Sequence, residues 1–194
     1  MGQKAFYFNM KNCVGCHACQ VACRDRNALY NVGEIFRKVD IYEGGKFPKP
    51  WMYMLSIACN HCGNPACVAK CPTGAMYKDP DTGLVLHDDE LCIGCGTCVQ
   101  SCPYHEPILM EKEGKTVSAK CDGCYSLVQK GENPVCVDAC NMRVLEFGEM
   151  ADLVKAHPDA VQDIHVLPDS SETVPAFFID PVPEAVNEEV NQVF

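Results

Sequence analysis

The chain has 194 residues, with 26 acidic residues against 16 Lys and Arg, so its formal net charge is −10 at neutral pH. An acidic chain without a basic stripe argues against nucleic acid as a partner. No apolar run is long enough to span a bilayer, and the first residues lack the apolar segment of a secretory signal, so we expect neither a membrane span nor a signal peptide of its own.

Few regular elements are predicted, and most of them are short strands. Alternating apolar and polar residues bounded by Gly, Pro or Asp are typical of strands. In chain order the predicted strands are Ala5–Asn9, one strand around Val39 and Ile41, Ala75–Lys78, Leu84–His87 and Val144–Phe147. A helix is predicted over Ala151–His157, where Pro158 stops it. The acidic remainder cannot bury much alone, so we expect Phe177, Phe178 and Ile179 to hold it against the rest of the chain or another subunit.

Cysteine carries the strongest signal in the sequence. All sixteen cysteines lie between residues 13 and 140 and fall into four groups of four. In chain order the groups are Cys13, Cys16, Cys19 and Cys23; Cys59, Cys62, Cys67 and Cys71; Cys92, Cys95, Cys98 and Cys102; and Cys121, Cys124, Cys136 and Cys140. Each group begins with C-x₂-C and ends with C-x₃-C. The pattern therefore indicates one kind of site repeated four times.

Three other kinds of cysteine chemistry fit this pattern less well. Disulfides need an oxidising compartment, and cysteines separated by two residues more often chelate than staple a fold. Zinc ribbons use pairs of C-x₂-C but have no use for the trailing C-x₃-C. The segment from Cys13 to His17 reads C-x-x-C-H, the motif of covalent haem attachment, yet Cys19 and Cys23 follow at once.

The spacing C-x₂-C-x₂-C-x₃-C is that of bacterial ferredoxins. Three cysteines of one loop bind three iron atoms of a cubane, and the fourth serves a neighbouring cluster. We expect this fourth cysteine to begin the next helix. Sixteen thiolates then bind four [4Fe–4S] clusters. The sequence contains no dinucleotide loop or P-loop and indicates no catalytic residue. His61 lies between two ligands, and we expect it to form a hydrogen bond near a cluster.

The exchange of the fourth cysteine decides which groups share clusters. Groups two and three are joined by two predicted strands, and both end in Cys-Pro, so we pair them as an inner module. Groups one and four each carry half of such a unit, so we pair them as an outer module. The predicted ligand sets are Cys13, Cys16, Cys19 and Cys140 (set 1); Cys59, Cys62, Cys67 and Cys102 (set 2); Cys92, Cys95, Cys98 and Cys71 (set 3); and Cys121, Cys124, Cys136 and Cys23 (set 4).

The predicted fold class is α+β, with two bacterial-ferredoxin-like modules, one nested within the other, and an extended C-terminal tail. The predicted outer module comprises residues 1–31 and 118–148. Residues 32–52 form a linker, residues 53–117 the inner module, and residues 149–194 the tail.

In detail, the chain resembles one protein family from about residue 5 to residue 148. The ordered spacings 2-2-3, 2-4-3, 2-2-3 and 2-11-3 carry the resemblance, together with the stretches CNHCGNPACVAKCPTGAMYK, GLVLHDDELCIGCGTCVQSCPY and KCDGCYSLVQKGENPVCVDAC. They resemble the iron–sulfur, electron-transfer subunit of the DMSO reductase family of molybdenum and tungsten enzymes, and are most similar to its DMSO and polysulfide reductase branches.

The resemblance implies partners as well as cofactors. Such a subunit carries four [4Fe–4S] clusters in a line, in the nested pairing, between a large molybdopterin-dependent catalytic subunit and a second redox partner. That partner is a quinol-oxidising membrane-anchor subunit or a soluble electron carrier. The chain is then cytoplasmic, or is exported or held at the membrane together with a signal-bearing partner. The alternative function is that of a free-standing polyferredoxin serving several oxidoreductases.

Overall fold

A computed structural model of the chain describes residues 2–187 and 191–193. The strands in this part are β1 (Lys4–Asn9), β2 (Lys38–Lys46), β3 (Lys49–Ile57), β4 (Met76–Lys78), β5 (Val85–His87), β6 (Ile108–Lys112), β7 (Lys115–Ala119), β8 (Leu145–Glu149), β9 (Phe177–Asp180) and β10 (Asn191–Gln192). The helices are α1 (Ala18–Arg26), α2 (Ala66–Ala69), α3 (Thr97–Ser101), α4 (Tyr125–Val128), α5 (Val135–Asp138), α6 (Met150–Ala156) and α7 (Pro183–Asn187). The mixture of short helices and small sheets agrees with the predicted α+β class.

Strand β1 holds distant parts of the chain together. It is the middle strand of a three-stranded sheet, between β8, which runs antiparallel to it, and β9, which runs parallel. The register places Phe6 opposite Phe147 and Phe8 opposite Ile179. A central strand covered on both faces reads as a continuous apolar run, as β1 does. Because β1 leads into the first cysteine group and β8 follows the fourth, this sheet places the two groups side by side.

The C-terminal part is more regular than an extended tail, so that prediction is not confirmed. Helix α6 lies within one residue of the predicted helix, and β9 adds a strand to the sheet of β1 with Phe177 and Ile179 buried. The expected contact of these apolar residues with the rest of the chain is therefore formed. Strand β10 pairs with β2. Met1 of the predicted outer module and residues 188–190 and 194 of the predicted tail lie outside the described residues.

The predicted linker contains a long β-hairpin. Strands β2 and β3 pair antiparallel, with Tyr42 opposite Tyr53 and Gly45 opposite Pro50, and the hairpin continues past residue 52. The strand predicted around Val39 and Ile41 is confirmed as β2, whereas its partner β3 is not predicted from the sequence. Prolines 48 and 50 suggest a loop. However, Pro48 precedes β3, and Pro50 lies on β3, which is an edge strand, where proline is tolerated because its missing N–H can face solvent.

Two smaller hairpins lie between the second and fourth cysteine groups. Strands β4 and β5 pair as predicted, and the carboxylate of Asp79 in their turn accepts hydrogen bonds from the backbone N–H and the hydroxyl of Thr82. The second hairpin, β6–β7, is not predicted from the sequence. Its turn is crowded with charged residues, from Glu111 to Lys115, which are typical of a loop.

The short helices are organised by the C-x₃-C pairs. In each group the third cysteine lies in a helix, and the fourth lies one turn later. The pairs are Cys19 and Cys23 within α1, Cys67 and Cys71 at α2, Cys98 and Cys102 at α3, and Cys136 and Cys140 at α5. The prediction that the fourth cysteine begins the next helix is therefore wrong. Residues four apart lie on one face of a helix, about 6 Å apart along its axis, so one helix presents sulfurs to two neighbouring sites. No described helix has the length and apolar character needed to cross a bilayer.

Candidate iron–sulfur centres

Cysteines from different groups line shared cavities. Three small cavities are each lined by three cysteines of one group and one of another. The linings are Cys13, Cys16, Cys19 and Cys140; Cys59, Cys62, Cys67 and Cys102; and Cys92, Cys95, Cys98 and Cys71. They coincide with sets 1, 2 and 3. That the sulfurs bind iron in these combinations stays a prediction.

The four cysteines of set 4 are buried together. Burial, and then the nearby thiolates of Cys136 and Cys124, raises the pKa of Cys23 to about 12, although Arg37 opposes this. Burial also raises the pKa of Cys121 well above its usual value, and the charge of Cys23 adds to the rise. Cys23 and Cys121 also pack in one apolar cluster, and helix α1, which carries Cys23, contacts α5, which carries Cys136. The structure thus brings Cys23 of the first group to cysteines of the fourth.

The residue before the second cysteine of each group has a left-handed backbone. Gly15, Gly94 and Gly123 adopt φ values of +63°, +65° and +69° in three C-x-G-C segments. This region is open to glycine and costly for residues with a Cβ. His61 occupies the same position in the second group, with φ of 43°. The shared conformation gives all four C-x₂-C loops the same tight turn.

Hydrogen bonds reach the sulfurs from residues around the cavities. The backbone N–H groups of Gly94 and Ser118 donate to Cys92 Sγ, each at 3.4 Å. The hydroxyl oxygen of Ser56 lies 3.4 Å from Cys19 Sγ. Hydrogen bonds to thiolate sulfur favour the charged form and are one means by which a protein sets a cluster potential.

The sulfur arrangement fits a cubane better than a single ion. Over residues 2–187 and 191–193, no three His, Cys, Asp or Glu side chains converge closely enough to bind one metal ion. A [4Fe–4S] cluster has iron at four corners, so it takes four thiolates that stand apart around a space. Each of the three cavities offers four sulfurs around such a space.

Burial makes unpaired thiolates costly at these sites. It raises the pKa of Cys62 to about 11 and that of Cys67 to about 12, and the charges of Cys59 and Cys102 add to both rises. Four thiolates in one buried site therefore need a positive counter-charge, which the iron of a cluster supplies. Exposed Cys95 differs, because a hydrogen bond with the Thr97 side chain lowers its pKa.

His61 lies between sets 2 and 4. Its ring is buried, and its Nδ1 accepts a hydrogen bond from the Val85 N–H at 3.0 Å, so the proton of the neutral ring is on Nε2. Nε2 lies 4.0 Å from Cys121 Sγ. Burial, reinforced by the charges of Lys120 and Lys78, holds the pKa of His61 well below its usual value. The neutral ring thus directs its N–H toward a cysteine of another group.

Three polar residues near the cysteines are not identifiable from the motifs. Arg37 is buried beside sets 1 and 4, Glu106 lines the cavity of set 2, and Ser118 lines that of set 3. Arg37 precedes β2, and Ser118 lies on β7. The strand pairing within the β2–β3 and β6–β7 hairpins brings Arg37 and Ser118 to the cysteines. No residue spacing in the sequence indicates this pairing.

Comparison with known proteins agrees with this chemistry. Residues 50–150 match the family described as "4Fe-4S dicluster domain", and residues 10–30 match the family described as "4Fe-4S binding domain". Together the two segments contain all sixteen cysteines.

Similar proteins extend the match to almost the whole chain. One chain of the anaerobic dimethyl sulfoxide reductase of Haemophilus influenzae is 39% identical over 190 residues, which cover 93% of this chain and 90% of the relative. The corresponding chain of Escherichia coli is also 39% identical, over 188 residues, 92% of this chain and 89% of the relative. The thiosulfate reductase electron transfer subunit of Salmonella typhi is 37% identical over 145 residues, 72% of each chain. The chain therefore belongs to the iron–sulfur, electron-transfer subunits of the DMSO reductase family, and its cofactors are four [4Fe–4S] clusters.

Proposed function

We propose that this chain relays single electrons between a large molybdopterin-dependent catalytic subunit and a second redox partner, with sets 1 to 4 as the cluster ligands. A [4Fe–4S] cluster bound by four thiolates takes up or releases one electron at a time. The observation that carries the proposal is the lining of three cavities by three cysteines of one group and one of another. In this assignment every iron has a cysteine ligand, so the chain holds and insulates the clusters and binds no substrate.

Contacts between the sets support a linear order. Cysteines of neighbouring sets share the same apolar clusters. Sets 1 and 4 share one cluster through Cys19 and Cys136, against which Cys62 and Cys102 of set 2 also pack. Sets 4 and 2 share another through Cys121 and Cys59, and set 3 shares one with set 2 alone, through Cys98 and Cys67. We therefore propose the order set 1, set 4, set 2, set 3. Sets 1 and 4 then belong to the outer module (1–31 and 118–148), and sets 2 and 3 to the inner module (53–117).

The two ends of this order reach the surface. Cys16 of set 1 and Cys95 of set 3 are exposed, whereas the other cysteines are buried or partly buried. Beside them, Val14 and Ile93 leave 56% and 64% of their surface exposed. Apolar residues next to an exposed ligand suit a surface where another protein docks closely. We assign one partner to each of these two ends.

We propose a quinol-oxidising membrane-anchor subunit, or else a soluble electron carrier, as the second partner. The names of the relatives, which are chains of dimethyl sulfoxide and thiosulfate reductases, support a catalytic partner of that class. The chain then lies in the cytoplasm, or outside it with a signal-bearing catalytic subunit.

Purification from the native host tests the partnership. We expect the chain to co-elute with a large molybdopterin-binding chain through two successive chromatographic steps. A stable lone monomer would favour the free polyferredoxin instead.

Replacing Cys98 with Ser tests the ligand sets. We expect loss or alteration of the set 3 cluster, with the clusters of sets 1 and 4 spared, because Cys98 lines only the set 3 cavity. The matched variant is Cys19→Ser, at the same position of the first group. Magnetic resonance spectra of the two reduced variants should lack different signals. Loss of the same signal in both would contradict the assignment.

A further inference from the structure

Arg37 is a buried cation held by neutral partners. Its side chain is among the largest that are fully buried, at 1% exposure. Nη1 donates to the backbone oxygen of Ser56 at 3.3 Å and to its hydroxyl at 3.2 Å, and the guanidinium lies over the Phe6 ring, 5.0 Å from its centre. Nε is buried without a hydrogen-bond partner among the described atoms. A permanent charge in such a place is strongly destabilising unless an anion compensates it.

No described carboxylate forms an ion pair with Arg37. The buried carboxyl of Glu106 responds to the charge of Lys38 more than to that of Arg37. The negative groups that act most on Arg37 are four cysteine thiolates, one from set 1 and three from set 4. These cysteines are Cys19, Cys23, Cys121 and Cys136. The compensating anions are therefore the sites themselves.

Ser56 connects Arg37 to set 1 directly. Its hydroxyl lies 3.2 Å from Nη1 of Arg37 and 3.4 Å from Sγ of Cys19. On the other side, Phe36, the residue before Arg37, packs with Cys23 and Cys121 of set 4 in one apolar cluster. One guanidinium thus acts on two adjacent sites at once.

We infer that Arg37 is the internal counter-charge of the outer module and raises the reduction potentials of the clusters of sets 1 and 4. The inference rests on the ligand sets proposed above. Reduction adds one negative charge to a site, and a fixed positive charge in a poorly polarisable interior stabilises the reduced form. Sets 2 and 3 lie beyond set 4 in the proposed order, so the charge of Arg37 acts on them less. The result is an outer module that accepts electrons more readily than its thiolates alone would allow.

Three variants of the full chain, isolated with its partners, test this inference. In Arg37→Gln we expect the reduction equilibrium of the two outer clusters to become about tenfold less favourable, which is about 59 mV for one electron. We expect smaller shifts for the two inner clusters. Arg37→Lys keeps the charge and should hold all four potentials near those of the wild type. Lys38→Gln is the matched control, because it removes one positive charge from the neighbouring, partly exposed side chain that faces Asp40.

The readout is a potentiometric titration followed by magnetic resonance, with signals assigned through Cys98→Ser and Cys19→Ser. Unshifted outer potentials in Arg37→Gln, with all four clusters present, overturn the role of Arg37 and leave the ligand sets standing. If only the clusters that Cys98→Ser affects change their reduction potentials in Arg37→Gln, both the role of Arg37 and the ligand sets are overturned.

Iron content provides a second measurement should Arg37→Gln fail to assemble. Full iron in Arg37→Lys with low iron in Arg37→Gln supports a need for charge at this position. Low iron in both variants overturns the inference, because it shows that the shape of arginine and not its charge is required.

Discussion

Single polar residues beside the cysteines carry large electrostatic effects because the sites are buried. Glu106 illustrates this. Its side chain is buried in the lining of the set 2 cavity, Oε1 has no hydrogen-bond partner among the described atoms, and burial raises its pKa to about 7. A carboxyl in this position is tolerated most easily when it is protonated.

The raised pKa of Glu106 predicts a loss of stability as pH rises. The pKa of this carboxyl is higher in the folded chain, at about 7, than in the unfolded chain, near 4.5. Its contribution to the stability of the fold is therefore fully present below pH 4.5 and is lost as the pH rises through about 7. Between pH 5 and pH 8 this amounts to about 2 kcal/mol. We expect Glu106→Gln to flatten the pH dependence of denaturant-induced cluster loss by about that amount. If denaturant-induced cluster loss depends on pH equally in the wild type and in Glu106→Gln, the protonated state of Glu106 in the folded chain is contradicted.

A second prediction at the residue scale concerns the substitution of Gly94. Its φ is +65°, and a Cβ there would lie 2.6 Å from the backbone oxygen of Thr116. We expect Gly94→Ala to lose the set 3 cluster and bind about 12 iron atoms per chain instead of about 16. Gly114→Ala is the matched control, since Gly114 has φ of +76° but nothing within 4 Å of the added Cβ. That variant should lose only about 1–2 kcal/mol of stability from the left-handed conformation and keep its iron. Equal iron content in the two variants would show that a Cβ at position 94 does not clash with the backbone oxygen of Thr116.

At the scale of elements, the cysteine spacing predicts much of the site and little of what surrounds it. The tight C-x₂-C loops follow from local spacing. The approach of Cys140 to the first group depends instead on the pairing of β1 with β8, and local spacing gives it little support. The β2–β3 and β6–β7 hairpins depend on pairing between segments whose Pro and charged residues are typical of loops. For that reason Arg37 and Ser118, which those hairpins bring to the cysteines, could not be predicted.

Strand β9 shows that the C-terminal segment has a structural role. Ile179 on this strand is fully buried opposite Phe8 of β1. Truncating a buried aliphatic side chain leaves a cavity, so we expect Ile179→Ala to lower the free energy of unfolding by about 3 kcal/mol. The matched control is Val186→Ala on α7, where the side chain is 48% exposed and the loss should stay below about 1 kcal/mol. The midpoint of cluster loss in denaturant measures both. Equal midpoints would show that β9 does not stabilise the sheet.

At the scale of the whole molecule, the sites are built into the apolar core. Among the described residues, cysteines belong to the largest apolar cluster and to three of the four smaller ones. The iron–sulfur sites therefore add links between elements that apolar packing already joins. The two exposed cysteines, Cys16 and Cys95, belong to different cysteine groups, so the proposed relay has an entry and an exit on the surface.

The most direct test of this account is the iron, sulfide and magnetic resonance analysis of the protein isolated without air. Four cubanes predict about 16 iron and about 16 sulfide per chain, a brown colour, and the spectra of interacting reduced clusters after dithionite. A colourless protein with about four zinc ions per chain and no signal after reduction would contradict the account.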